Sequence, residues 1–120
     1  RVNIARANWV SRLKLTEQET QQFDSAIDAM NARLYDNMQE VANLLQNETE
    51  MTPEIGLKLV SNLTTAMATT YDEVRAGLPP EKQDEVAKME LQDFIDPGVG
   101  EPLIAVQGKL ENIQQIKGNR

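Results

Sequence analysis

The sequence predicts an all-α domain: a long antiparallel helical hairpin with shorter flanking helices, bundle-like in its packing. Residues that favour helices and helix caps (Ala, Leu, Met, Gln, Glu, Asn) dominate, and the aromatics are only Trp9, Phe23, Tyr35, Tyr71 and Phe94. Apolar residues recur at steps of three and four along two long stretches. Helix-start signals stand ahead of each stretch.

The first element is expected over 1–13, where Val2, Ala5, Trp9 and Leu13 share one face. Thr16-Glu17-Gln18-Glu19 follows as a capping box, in which Thr16 accepts from the Glu19 amide and Glu19 reaches back to the Thr16 amide. A helix from 16 to 46 carries Phe23, Ile27, Met30, Leu34, Met38 or Val41, and Leu45 on its apolar stripe. Its opposite face (Gln21, Asp24, Asp28, Asn31, Gln39, Asn43) is expected in solvent. The polar run Asn47-Glu48-Thr49-Glu50 breaks the period. Thr52-Pro53-Glu54 then reads as an N-cap, a proline in the first turn and an acid at the positive end of the helix dipole.

A helix over 53–76 places Leu59, Val60, Leu63, Met67, Tyr71 and Val74 inward and stops at Gly77, read as a left-handed C′ glycine. The short link between two long amphipathic helices predicts the hairpin, core residues 16–76. Leu78-Pro79-Pro80-Glu81 opens a fourth helix, expected over 80–95 with Val86, Met89 and Phe94 inward. The breaker 96–102 separates it from a last amphipathic helix over 102–117 with Leu103, Val106, Leu110 and Ile113 on one face. At 120 residues the whole reads as one domain, 1–120.

The chain has 12 basic and 19 acidic residues, a net charge of −7. That argues against nucleic acid, which needs a basic footprint, and against an electrostatic grip on anionic membranes. No Cys and no His are present, so thiolate chemistry and the commonest general base are excluded. Ser11, Ser25 and Ser61 lack a His partner and a glycine-framed nucleophile turn. Acidic clusters at Glu48/Glu50/Glu54, Glu81/Asp84/Glu85 and Glu90/Asp93/Asp96 have no EF-hand spacing and read as dipole-complementing or solvated charges. The expectation is a non-enzymatic chain with no cofactor and no metal.

Two helix starts carry a resemblance. Trp9-Val10-Ser11-Arg12-Leu13-Lys14-Leu15-Thr16-Glu17-Gln18-Glu19 and Val74-Arg75-Ala76-Gly77-Leu78-Pro79-Pro80-Glu81-Lys82-Gln83 resemble the Leu-Thr-x-x-Gln motifs of the periplasmic heavy-metal-resistance family, whose members include stress chaperones and metal sensors built on a helical hairpin. The likeness spans roughly residues 5–90. Glu19 stands where the first motif has Gln, and Pro79 where the last has Thr. The metal-sensing members' His and Met positions fall on Thr70 and Val74, so metal ligation is not carried over. The resemblance implies a protein-binding domain on the periplasmic side of a bacterial membrane, a sensor or chaperone-like adaptor of envelope stress. It also implies a leader or membrane anchor upstream of Arg1.

Trp9, Met51, Tyr35 and Tyr71 are the candidate partner-binding residues: Trp9 on a short first helix, Met51 at the hairpin tip. The expected partner is another protein, with a second copy of the chain (a homodimer) as one candidate. Two further classes fit the helical pattern: the ligand-binding four-helix domain of a membrane receptor, and a plain oligomerisation module.

Overall fold

A computed structural model describes residues 2–47 and 51–102. Helices α1 (Val2–Leu13), α2 (Glu17–Asn47), α3 (Pro53–Ala76) and α4 (Pro80–Val86) follow in order, then two 3-10 turns at Leu91–Phe94 and Pro97–Gly100. No strand occurs among the described residues. α2 and α3 pack against each other as the antiparallel hairpin, so the predicted all-α hairpin architecture is present. The helix expected over 102–117 lies outside the described residues.

α1 ends by a device the sequence did not advertise. Lys14 adopts a left-handed conformation, φ 52°. The Lys14 amide donates to Ser11 O at 3.2 Å and the Leu15 amide to Val10 O at 3.0 Å, the paired bonds of a Schellman stop. A side chain in that region costs about 1 kcal/mol relative to glycine. The chain then enters α2 through the predicted capping box: Thr16 N to Glu19 Oε1, 2.9 Å, and Glu19 N to Thr16 Oγ1, 3.1 Å.

The α2 stripe is buried along its whole length, from Phe23 through Ile27, Met30 and Leu34 to Leu45. At one end of the hairpin, the base, it meets α1, the end of α4 and the 3-10 turns around Phe23 and Phe94, whose rings pack edge to face at 5.8 Å. At the tip, Val41, Ala42, Leu45 and Ile55 form a second, smaller cluster. α3 begins as predicted, with the Ile55 amide donating to Thr52 Oγ1 at 3.2 Å. Its end differs: Gly77 has φ −87°, open to any residue. A Cβ there would lie 2.6 Å from Gln22 Oε1 of α2, the free end of a flexible side chain that would have to move aside.

Three expectations are corrected. The fourth helix stops at Val86 rather than 95. From there the chain turns back across the hairpin, and a helix continued to 94 would carry Phe94 about 12 Å onward instead of onto Phe23. Asn31, expected in solvent, is buried. Its Nδ2 donates to Phe94 O at 3.0 Å and to Ile27 O at 3.2 Å, and its Oδ1 accepts from the Asp96 amide at 2.8 Å. That one amide pins the returning strand of chain to α2 by satisfying backbone groups that have left helical pairing. Val60, expected inward, is 60% exposed.

Asn31→Ala strands the Phe94 carbonyl and the Asp96 amide. We expect a loss of about 1–3 kcal/mol, with faster amide exchange concentrated at residues 94–96. Lys14→Gly removes the left-handed penalty while keeping the backbone bonds. We expect a gain of up to about 1 kcal/mol, seen as a higher urea midpoint at unchanged slope.

Candidate functional site

The two motif-bearing helix starts come together at the base of the hairpin. Lys82, in the first turn of α4, reaches the α1–α2 joint: its Nζ donates to Glu19 Oε1 at 2.6 Å and to the Lys14 carbonyl at 2.9 Å. Counting from Leu15 and from Leu78, Glu19 and Lys82 hold the same place in the two motifs, and they form an ion pair. Next to it, Gln83 Nε2 donates to Arg75 O at 3.2 Å and Leu78 O at 3.0 Å, closing the C-terminus of α3. The middle start at Thr52 sits at the opposite, tip end. The base thus joins the ends of α1, α2 and α3 through the side chains of Lys82 and Gln83.

Thr70 and Val74, the positions matching the family's metal ligands, are buried; the Thr70 hydroxyl donates to Ala66 O. Among the described residues no group of His, Cys, Asp or Glu is placed to hold a metal ion. In the acidic cluster of α4, Glu85 accepts from Arg12 at 2.9 Å and Lys88 at 3.1 Å, and these cations hold its carboxyl below the usual range, Lys88 contributing most. Glu48 and Glu50 lie outside the described residues. Ser11, Ser25 and Ser61 are all exposed.

The four candidate contact residues do not share a face. Trp9 packs half-buried on the base core, its ring covered by the Arg12 guanidinium at 4.5 Å, which Glu85 holds in place. Tyr71 is half-buried; its hydroxyl donates to Met89 O and fastens the returning chain to α3. Tyr35 is 43% exposed beside the second 3-10 turn. Met51, 45% exposed, stands at the tip. Trp9 and Tyr71 therefore fix the base, while Tyr35 and Met51 are open to a partner from separate places.

The open apolar surface lies instead on the outer side of α3. Leu57 is 71% exposed and Val60 60%, one turn apart and close in sequence to Met51. Ser61, Thr64, Thr65 and Ala68 continue this side in solvent. No Asp, Glu, Lys or Arg occurs between Lys58 and Asp72, in a chain that is 26% charged. Exposed helix faces ordinarily carry charge, so a long charge-free exposed side is the surface's most distinctive feature. The signal was in the sequence as that uncharged run. It was hidden because Leu57-Lys58-Leu59-Val60 holds more apolar residues than one inward stripe can take.

No helix among the described residues is long and apolar enough to cross a membrane. Comparison with protein-family models, with curated proteins and with solved structures found no match.

The Lys82 ammonium, donating to its carboxylate, and the Thr16 amide together hold Glu19 below the usual carboxylate range. A carboxyl depressed in the folded state stabilises the fold above its unfolded pKa of about 4.3, and the contribution is lost as pH falls through the depressed value. Glu19→Gln keeps an acceptor for the Thr16 amide but does not titrate. We expect it to be less stable than the parent at neutral pH, with the difference in urea midpoint shrinking on acidification to about pH 3.

Proposed function

We propose that this chain is a non-catalytic protein-binding domain that works on the periplasmic side of a bacterial membrane, as a sensor or chaperone-like adaptor of envelope stress. The base holds the hairpin, and the hairpin presents the charge-free side of α3 to a partner. The observation that carries this reading is the exposure of Leu57 and Val60 on a helix side without a single charge from 59 to 71. Apolar surface rimmed by neutral polar residues suits a partner that offers apolar groups of its own. Ser and Thr around the two apolar side chains add adaptable hydrogen bonds without a charge to desolvate. The periplasmic stress role comes from the resemblance of the Leu15–Glu19 and Leu78–Gln83 starts.

Self-association through the same side of α3 is the second reading, since the surface suits an apolar partner helix of either origin. Both readings place the contact at Leu57 and Val60.

The test is suppression of aggregation of a reduced, unfolding client protein, scored by light scattering. The parent chain is expected to delay aggregation at near-stoichiometric ratios. Leu57→Asp combined with Val60→Asp is expected to abolish the delay while leaving the thermal midpoint within a few degrees, because both side chains are already in solvent. Equal suppression by the double variant would sink the reading.

A further inference from the structure

The outer side of α3 carries a repeat of its own. Leu57, Ser61, Thr64, Ala68, Tyr71 and Arg75 follow one another at alternating steps of four and three, the spacing of a seam that faces another helix. Leu57 is its most prominent knob, 71% exposed. Ser61, Thr64 and Ala68 are small and exposed. Toward the base the seam turns concave. Ala68, Tyr71, Asp72 and Arg75, with Ala87 of α4, line a hollow of about 410 Å³. Those four α3 residues stand at i, i+3, i+4 and i+7, the corners of the hole that receives a knob from a facing helix. Its walls are held in place. The Tyr71 hydroxyl donates to Met89 O, and the Arg75 guanidinium lies 5.8 Å from the Tyr71 ring centroid and 3.7 Å from Asp72 Oδ1.

Knob and hole lie on one side of one helix, about 21 Å apart along its axis. A second copy laid antiparallel presents each knob to the other's hole. We infer that the chain pairs with a second copy of itself through α3, antiparallel about a two-fold axis near Thr64. The inference names the partner of the apolar α3 side and rests on the reading of that side as a docking surface.

The charges check this register independently. Leu57 seated among Ala68, Tyr71, Asp72 and Arg75 of the second copy puts Lys58 beside Asp72 of that copy and Glu54 beside its Arg75. Lys58, Thr65 and Asp72 are seven residues apart, so they flank the seam on one side, and antiparallel pairing sets that flank against its equivalent. Opposite charges therefore meet at both ends of the contact, with uncharged residues between. Among the described residues neither Glu54 nor Lys58 makes an ion pair within its own chain. Large side chains also meet small ones, Val60 lying over Ala68. Parallel pairing would stack Leu57 on Leu57 and leave both holes empty. The contact is self-complementary, as a closed two-fold interface requires. A client that binds Leu57 and Val60 must then displace the second copy.

Sedimentation of the full chain over a concentration series reads the mass, which is expected to rise from one chain to two. The chain has no cysteine, so a single introduced one reports the register. Thr64→Cys is expected to give a disulfide of dimer mass on oxidation. Lys58→Cys is not, because antiparallel pairing keeps those two positions about 20 Å apart and a disulfide needs Cα atoms within about 7 Å. Lys58→Asp and Asp72→Lys are each expected to weaken pairing about tenfold. An equimolar mixture of these two variants is expected to pair as tightly as the parent, since both contacts again join opposite charges. A one-chain mass at every concentration overturns the inference. So does a dimer in which Lys58→Cys crosslinks as readily as Thr64→Cys, or one in which both charge variants pair like the parent. Lys58→Asp keeps Leu57 and Val60, and it is expected to suppress client aggregation at least as well as the parent. Suppression without pairing removes the self-pairing alone, and pairing without suppression removes the client reading alone.

Discussion

Four helix ends meet at one pole of this molecule, and the side chain of Lys82 makes that meeting possible. Every helix end leaves backbone groups without partners, and bringing the ends together removes the water that would otherwise serve them. Lys82 answers two at once, on the Lys14 carbonyl that ends α1 and on the Glu19 carboxylate that caps α2. Gln83 answers the end of α3. Because both residues belong to the first turn of α4, a helix of only two turns fixes the mutual placement of the other three. A positive charge beside the C-terminal end of α1 also runs with the helix dipole.

With the base closed in this way, the length of the hairpin becomes useful. The base combines the larger cluster with the Arg6–Asp24, Arg12–Glu85 and Arg33–Glu73 pairs. The tip half has a small cluster, and α3 carries no charge from Leu59 to Tyr71. The fixed tertiary contacts are therefore concentrated toward the base. The exposed side of α3 can carry Leu57 and Val60 because the base, and not this side, supplies most of the fixed tertiary contacts.

Most of the fold was legible because its signals are local. The capping box at Thr16, the Thr52-Pro53-Glu54 start and the α2 stripe each depend on residues within a turn or two, and each appears where expected. What escaped depends on residues far apart. Asn31 looks like a surface residue from its own helix; its partners Phe94 and Asp96 are more than sixty positions away. The early stop of α4 follows from the need to return Phe94 to Phe23, again a tertiary demand. Gly77 ends α3 where expected, but with φ −87° rather than in the left-handed region. For the candidate site, aromatic and tip residues drew attention by type. Trp9 and Tyr71 proved to be anchors of the base, and the open pair Leu57 and Val60 was concealed in a run where apolar residues outnumber inward positions.

The concentration of ion pairs at the base gives the two halves opposite dependences on ionic strength. Every ion pair identified among the described residues joins groups at or below Arg33 in α2, or at or beyond Asp72 in the chain. Counter-ions screen such partly exposed pairs within about 10 Å at 0.1 M salt. The charge-free side of α3 has nothing to screen, and salts excluded from apolar surface strengthen its burial. A rise in salt concentration would thus loosen the end that holds the helices while strengthening burial of the apolar side chains Leu57 and Val60.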